Sequence, residues 1–371
     1  MKKRLFALIM ASMMTMGAMA GCASSTTTET PTEGDTTQQG TDTATDDTTA
    51  SSDVDLSGVS VGVCIYKFDD TFMTNVRNNM QAQADALGIE IEMVDSQNKQ
   101  PTQNEQVDTF ITKGMTALAV NPVDRTAAGP LVEKASAAGL PIVFLNREPE
   151  PDVMQSYDKV WYVGAKAEES GTMSGEIIAD YWNANKDTAD KNGDGKLQYI
   201  MITGEPGHQD ATLRTEYSVK ALTDAGIEVE EIGNDTAMWN KVQATDLMNA
   251  FITSQGIDTI EAVLCNNDDM ALGVIESLKA NGYNTGDASK FIPVVGVDAT
   301  AAALEAMANG SLLGTVLNDA ENQGIATTNI AAMAAAGQEI TSDTVGYEIT
   351  DGKYVWVPYV KITTENYQDF Q

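Results

Sequence analysis

Histidine is almost missing from this chain of 371 residues; His208 is the only one. That excludes metal centres built from several imidazoles. Cysteine is nearly as scarce. Cys22, Cys64 and Cys265 lie far apart and form no C-x-x-C pair, which rules out a disulfide framework and a zinc ribbon. Positive charge is the third shortage, with Lys+Arg 22 against Asp+Glu 54 and a net charge of −32. Such a chain repels nucleic acid and anionic membrane surfaces. Phosphate-binding loops are lacking too, because Gly62 and Gly164 stand alone and form no dinucleotide fingerprint. What is present is 42% hydrophobic and long enough for two ordinary domains.

The chain opens on Lys2, Lys3 and Arg4, followed by an uncharged apolar stretch from Leu5 to Ala20. It is short for a membrane span and suits the core of a signal peptide. Met19-Ala20-Gly21-Cys22 looks like a bacterial lipobox, so residues 1–21 read as a lipoprotein signal and Cys22 as the lipidated mature N-terminus. Residues 23–53 contain no Val, Leu, Ile or aromatic residue, and their acids have no basic counterpart. Too little apolar surface is available there to offset ordering entropy. Residues 22–55 are therefore expected to be a disordered acidic tether.

Beyond it the hydrophobic pattern alternates between two periods. Val59 to Ile65 is a β-branched run with the character of a buried strand. A helix follows, with Thr71 as the expected cap, Met73, Val76, Met80, Ala84 and Leu87 on one face, and Gly88 at its end. The rhythm continues through strands at Ile89–Val94, Ala117–Val120 and Ile142–Leu145, then resumes after Val160. Later strands are expected at Tyr199–Thr203, Ile227–Ile232, Ala262–Leu264 and Val294–Val297. Repeated β-α units specify parallel sheets covered on both faces. The fold class is α/β, with two doubly wound, Rossmann-like lobes joined by a hinge, and the first boundary falls near Gly164 to Lys166.

Ligands in open parallel sheets bind beyond the carboxyl ends of the strands. Here those ends read Asp69-Asp70-Thr71-Phe72, Asn121, Asn146-Arg147-Glu148, Gly204-Glu205-Pro206-Gly207-His208-Gln209-Asp210, Asn266-Asn267-Asp268, Asp298 and Asn318-Asp319. Carboxylates and carboxamides dominate, and lysine is nearly absent. That donor and acceptor set suits a neutral polyol, whose hydroxyls each donate and accept. It suits a phosphate poorly. His208, close in sequence to Asp210 and Arg214, reads as a hydrogen-bonding group rather than a catalyst. Trp239 could stack on the apolar face of a sugar.

A second motif lies at Asp190-Lys191-Asn192-Gly193-Asp194-Gly195-Lys196-Leu197-Gln198. Oxygen side chains fall at positions 1, 3, 5 and 9 of a calcium loop, with glycine at position 6. Position 12 would be Met201, so a true EF-hand is excluded and a bidentate acid has to come from elsewhere.

Several runs carry a resemblance: Ile65-Tyr66-Lys67-Phe68-Asp69-Asp70, Asn146-Arg147-Glu148-Pro149, Gly204-Glu205-Pro206-Gly207-His208, Asp235-Thr236-Ala237-Met238-Trp239 and Gly314-Thr315-Val316-Leu317-Asn318-Asp319-Ala320. Together they resemble the galactose/glucose-binding members of the periplasmic binding proteins, over nearly everything after Leu56. The resemblance implies a monomeric type I binding protein that hands hexose to an ABC importer. Residues 56–165 plus 318–353 would form one lobe and 166–317 plus 354–371 the other, closing about segments near Ala165, Leu317 and Lys353.

Carried over by position, Asp70 would accept the 4-hydroxyl of either epimer, and Phe72 and Trp239 would sandwich the pyranose. Asn146 and His208 would face the ring oxygen and O6. Asp210 and Arg214 would take O1 and O2, and Asn267, Asp298 and Asn318 would complete the O2 and O3 side. Glu261 would supply the missing calcium ligand beside Asp190, Asn192, Asp194, Gln198 and the Lys196 carbonyl. Arg147 and an insertion from Asn284 to Lys290 would lie outside the site. The lipobox implies a form anchored to the outer face of the cell membrane.

The nearest alternative is the same fold binding another solute, such as a pentose or an autoinducer-like sugar. A glycosidase would need two carboxylates flanking the scissile bond. Asp70, Asp210 and Asp298 could supply them, but the separation between them is not set by the sequence. A sugar-sensing repressor would need a DNA-binding headpiece, and the signal segment argues against one.

Overall fold

The computed structural model describes residues 54–371. The signal segment, Cys22 and all but the last two residues of the expected tether lie outside the described residues. The strands are β1 (Ser60–Ile65), β2 (Glu90–Asp95), β3 (Ala117–Val120), β4 (Ile142–Leu145), β5 (Val160–Gly164) and β6 (Lys196–Thr203). They continue with β7 (Glu228–Thr236), β8 (Ala262–Cys265), β9 (Val294–Val295), β10 (Thr315–Leu317), β11 (Tyr354–Trp356) and β12 (Val360–Ile362).

The first sheet has the order β11-β5-β4-β3-β1-β2, and every pairing in it is parallel. The second has the parallel order β7-β6-β8-β9. Parallel bridges Val295↔Gly314 and Asp298↔Leu317 tie β9 and its outflow to the β10 flank, and β10 pairs antiparallel with β12. Both lobes thus follow the doubly wound pattern, with their strand order reversing between the first and third strands of each.

The chain crosses between lobes three times, which the strand memberships show. It leaves the first lobe after Gly164, and helix Ala167–Ala184 packs on helix Gln209–Asp224 of the second. It returns after β10, when helix Ala320–Ala335 packs on helix Thr71–Leu87. The third crossing corrects the sequence reading. β11 hydrogen-bonds to β5, so residues 354–356 belong to the first lobe, and the chain passes over only between Trp356 and Val360. Apolar pattern could not reveal this, because both sheets accept a short aromatic and β-branched edge strand.

Burial on both faces explains why the central strands read as unbroken apolar runs. Val143 and Leu145 of β4 face one hydrophobic cluster while Ile142 and Phe144 face another. In the second lobe Val263 and Cys265 face one cluster, and Ala262 and Leu264 the opposite one. Helix Thr71–Leu87 ends as expected at Gly88, where φ is 67°, but it begins differently. Asp70, not Thr71, is its N-cap, because the Asp70 carboxylate accepts from the Met73 amide at 2.7 Å. No helix among the described residues is long and apolar enough to cross a membrane.

Candidate functional site

All ten residues expected to meet a sugar line one cavity between the lobes. They arrive there from strand ends and helix caps, for a local reason. A residue that caps a helix has its side chain at the strand-to-helix turn, and that turn is where the sheet opens towards a ligand.

From the first lobe come Asp70, Phe72 and Asn146. Asp70 uses one carboxylate oxygen as the cap and accepts from the Tyr66 hydroxyl with the other, at 2.5 Å. Phe72 follows in the first turn of the helix and is 8% exposed. Asn146 sits just past β4 at φ 62°, a conformation that asparagine tolerates better than most residues. Its side-chain oxygen accepts from Asn121 Nδ2 at 3.1 Å, and the Tyr162 hydroxyl donates to its carbonyl at 2.8 Å.

The second lobe supplies His208, Asp210, Arg214, Trp239, Asn267 and Asp298. His208 caps helix Gln209–Asp224, its Nδ1 accepting from the Asp210 amide at 3.1 Å. Burial, followed by the charges of Arg147, Arg214 and Arg125, holds the imidazole well below its ordinary pKa. A neutral ring that accepts at Nδ1 carries its proton on Nε2 and so has one donor left. Arg214 donates to Ser170 Oγ, the Asn266 carbonyl, Asp210 Oδ2 and the Tyr359 hydroxyl. Burial would lower its pKa, but Tyr359, Asp210 and Asp298 outweigh that and raise it, so the guanidinium stays charged. Burial pushes the Asp210 carboxyl up, against the pull of Arg214 and Arg147. Trp239 has φ 62°, lies edge-on to His208 with ring centroids 5.1 Å apart, and keeps a buried indole nitrogen without a protein partner. Asn267 caps helix Asp268–Ala280 through the Met270 amide.

Asp298 and Asn318 meet at the crossing. Asn318 Nδ2 donates to Asp298 Oδ1 at 3.2 Å, and Gln323 Nε2 donates to Asn318 Oδ1 at 2.7 Å. Burial drives the Asp298 carboxyl well above the ordinary range; Arg214 opposes the shift and Asp268 adds to it.

Three further residues line the cavity and were not assigned to it from sequence: Tyr66, Met73 and Arg147. Met73 carries the helical apolar period and is also core. Arg147 is a correction, since the resemblance placed it outside the site. Its guanidinium lies 3.9 Å from the Tyr66 ring centroid, donates to the Val123 carbonyl, and reaches across the cleft to Glu205 Oε2 at 2.8 Å. Other strand-end amides never face the cavity. Asn121 and Asn266 are buried and tie neighbouring loops together, Asn266 Oδ1 accepting from the Gly204 amide at 2.9 Å.

The lobes are also joined across the cleft mouth. Asn98 Nδ2 donates to Glu205 Oε1 at 3.0 Å, Gln209 Nε2 to Glu148 Oε2 at 3.2 Å, and Thr71 Oγ1 to Asp269 Oδ2 at 2.6 Å.

The loop before β6 lies apart from this cleft. Asp190 accepts from the Gly193 and Gly195 amides, Asn192 Oδ1 from the Asp194 amide, and Asp194 Oδ1 from the Lys196 amide. Glu261, immediately before the neighbouring strand β8, spans the loop. Its two oxygens accept from the Lys191 amide at 2.6 Å and the Gln198 amide at 2.9 Å. Among the described residues no three His, Cys, Asp or Glu side chains gather closely enough to hold a metal by themselves. A cation there would need amide and carbonyl oxygens too. Gln198 Oε1 is one such oxygen, buried and without a partner. An all-oxygen set around an orphaned acceptor fits a hard cation of the calcium type.

A family model for the periplasmic binding protein domain matches residues 61–339. The D-galactose/methyl-galactoside binding periplasmic protein of Haemophilus influenzae is 42% identical over 311 residues, covering 84% of this chain and 91% of that protein. The xylitol-binding protein of Mycolicibacterium smegmatis is 29% identical, with 81% and 77% covered. A solved ABC transporter solute binding protein from Bacillus halodurans C-125, with bound myo-inositol, is 30% identical. It superposes with a TM-score of 0.70 over 84% of this chain and 96% of that one.

Proposed function

Because the chain belongs to the periplasmic binding protein family, a family of sugar-binding components of ABC transport and not of enzymes, we propose that it captures D-galactose and D-glucose in its interlobe cleft and delivers them to an ABC importer. One observation carries this reading. Eight polar side chains held by hydrogen bonds, and two aromatics, drawn from both lobes, meet on a single cavity. The 42% identity to a galactose-binding relative points the same way.

In this reading Asp70 accepts the 4-hydroxyl. Its oxygens are already held by Met73 and Tyr66, so it offers a fixed acceptor to either epimer. Phe72 and Trp239 cover the two faces of the ring. Asn146 and the Nε2–H of His208 face the ring oxygen and O6. Asp210 and Arg214 take O1 and O2, and Asn267, Asp298 and Asn318 take the O2 and O3 side. The protein acts as a monomer, and closure of the lobes completes the contact set.

Calcium belongs to the same proposal. Asp190, Asn192, Asp194, Gln198, the Lys196 carbonyl and Glu261 would hold it, and its charge would offset most of that of the three acids and pin β6 to β8. Cys22 is read as lipid-anchored to the outer face of the membrane, in keeping with an extracytoplasmic family. Metabolic fatty-acid labelling should mark the wild type and not Cys22→Ser.

Calorimetry against galactose, glucose, ribose, xylitol and myo-inositol tests the sugar assignment. Tightest binding of both hexoses supports it. Preference for any of the other three moves the protein to the alternative, the same fold serving a pentose or other polyol.

A further inference from the structure

We propose that Asp268, which does not line the cavity, is a positioning residue that sets sugar affinity by clamping the turn that presents Asp298. This inference rests on the reading that Asp298 binds the O2 and O3 side of the sugar.

The turn needs a clamp. Asp298 has φ 126° and the next residue, Ala299, φ 54°. Two successive L-residues at positive φ are rarely adopted and persist only where the surroundings fix them. Asp268 holds the turn at both ends. Its backbone N–H donates to the Val297 carbonyl at 2.8 Å, on the near side of Asp298. Its Oδ2 accepts from the Thr300 amide at 2.7 Å, on the far side. Its Oδ1 accepts from the Thr315 hydroxyl at 2.6 Å, and that hydroxyl in turn receives the Ala299 amide at 3.4 Å. One side chain, directly or through one hydroxyl, therefore governs both amides that follow Asp298.

The side chain is closed off from solvent, at 0% exposure. Room for it exists because residue 296 is glycine; a Cβ there would come within 2.3 Å of Asp268 Oδ1. Placing a fully buried carboxylate beside a second buried acid is costly in a low-dielectric interior. Capping of helix Asp268–Ala280 does not require it, since Asn267 already does that. The clamp accounts for its presence.

An asparagine at 268 offers one acceptor oxygen where the turn uses two. Its amide would either oppose the Thr300 N–H or face the Thr315 hydroxyl as a donor, leaving that hydroxyl without its acceptor and free to rotate away from the Ala299 amide. The test is a discrimination ratio. Galactose, 2-deoxygalactose and 3-deoxygalactose are titrated by calorimetry into the wild type, Asp268→Asn and Asp298→Ala. Asp298→Ala should weaken galactose roughly 10-fold or more and reduce the penalty for a deoxy sugar. Asp268→Asn should do the same in smaller measure, weakening galactose several-fold while the deoxy sugars change less than twofold.

A general structural defect would instead weaken all three alike, and that result overturns the proposal. Should Asp268→Asn fail to fold, Thr315→Val and Thr315→Ser carry the test. The valine variant should collapse the ratio and the serine variant restore it; equal ratios overturn the proposal. If Asp298→Ala itself leaves the ratio unchanged, the assigned sugar pose is wrong, a failure separate from that of the clamp.

Discussion

Gly204 lies directly beneath the Trp239 indole: a Cβ at 204 would stand 2.2 Å from Trp239 Cζ2 and 2.3 Å from Cη2. The end of β6 thus stays bare so that an aromatic from the end of β7 can lie across it and form one wall of the cavity.

Gly204→Ala should push the indole away from that wall. Stacking is shared by both hexoses, so galactose and glucose affinity should fall together, by roughly 3- to 10-fold. Calorimetry gives the affinities, and any change in indole fluorescence on adding sugar should shrink. A loss confined to one epimer would mean that Trp239 does not stack on the ring.

Asp70→Ala removes a charged acceptor and should weaken galactose by roughly 10- to 150-fold. Tyr66→Phe leaves the carboxylate but frees one oxygen, so its loss should be smaller, roughly 2- to 10-fold. Asp70→Ala within twofold of wild type would refute the pose.

Glu205 receives both Arg147 and Asn98 from the opposite lobe. Arg147 is 6% exposed, so Glu205→Ala strands a buried charge. Dissociation of galactose and glucose should accelerate equally, by roughly tenfold or more, with little change in association. Stopped-flow traces separate the two rates, and unchanged dissociation would exclude a closing role.

Three acids, Asp190, Asp194 and Glu261, surround the loop before β6. Calcium should therefore raise the melting temperature by mass action, and a chelator should lower it. Glu261→Gln should reduce that response sharply while sugar affinity in excess calcium stays within about twofold. An unchanged melting temperature on chelation would leave the loop as a turn closed by its own amides.

His208 gives a pH signature. Its folded pKa lies well below the unfolded value of about 6.5, so the unfolded chain binds the extra proton first. Its contribution to stability is therefore complete above about pH 6.5 and is lost as the pH falls, by up to about 1.4 kcal/mol per pH unit. His208→Gln should show a shallower fall in melting temperature between pH 7 and 5. Parallel curves would place a charged imidazole in the fold.

The sequence located most strands to within a residue or two. Ala117–Val120 and Ile142–Leu145 match β3 and β4 because burial on both faces leaves an unbroken apolar run with sharp ends. β10 was read only through its end at Asn318-Asp319, and β11 and β12 were not anticipated. Each has three residues, too few to show a period, and what fixes them is pairing with distant strands. That is also why the third crossing was placed a few residues early. Thr71 looked like a cap by residue type, but the cap is decided by which side chain reaches the Met73 amide, and Asp70 does.

What the sequence alone determined is chemistry carried by residue types: an acidic chain, a two-lobed α/β body, and carboxylates, amides and aromatics at strand ends suited to a polyol. Which strand-end residues face the ligand was decided only in three dimensions. Asn121, Asn266 and Asp268 sit in the same kind of sequence position as Asn146, Asn267 and Asp298, yet the first three turn inward and hold the loops that carry the others. The physical reason is that each buried loop amide needs a partner, and the side chain nearest to it is taken for that purpose. Proximity of this kind depends on residues such as Thr300 and Thr315, separated from Asp268 by 32 and 47 positions. No local pattern encodes it.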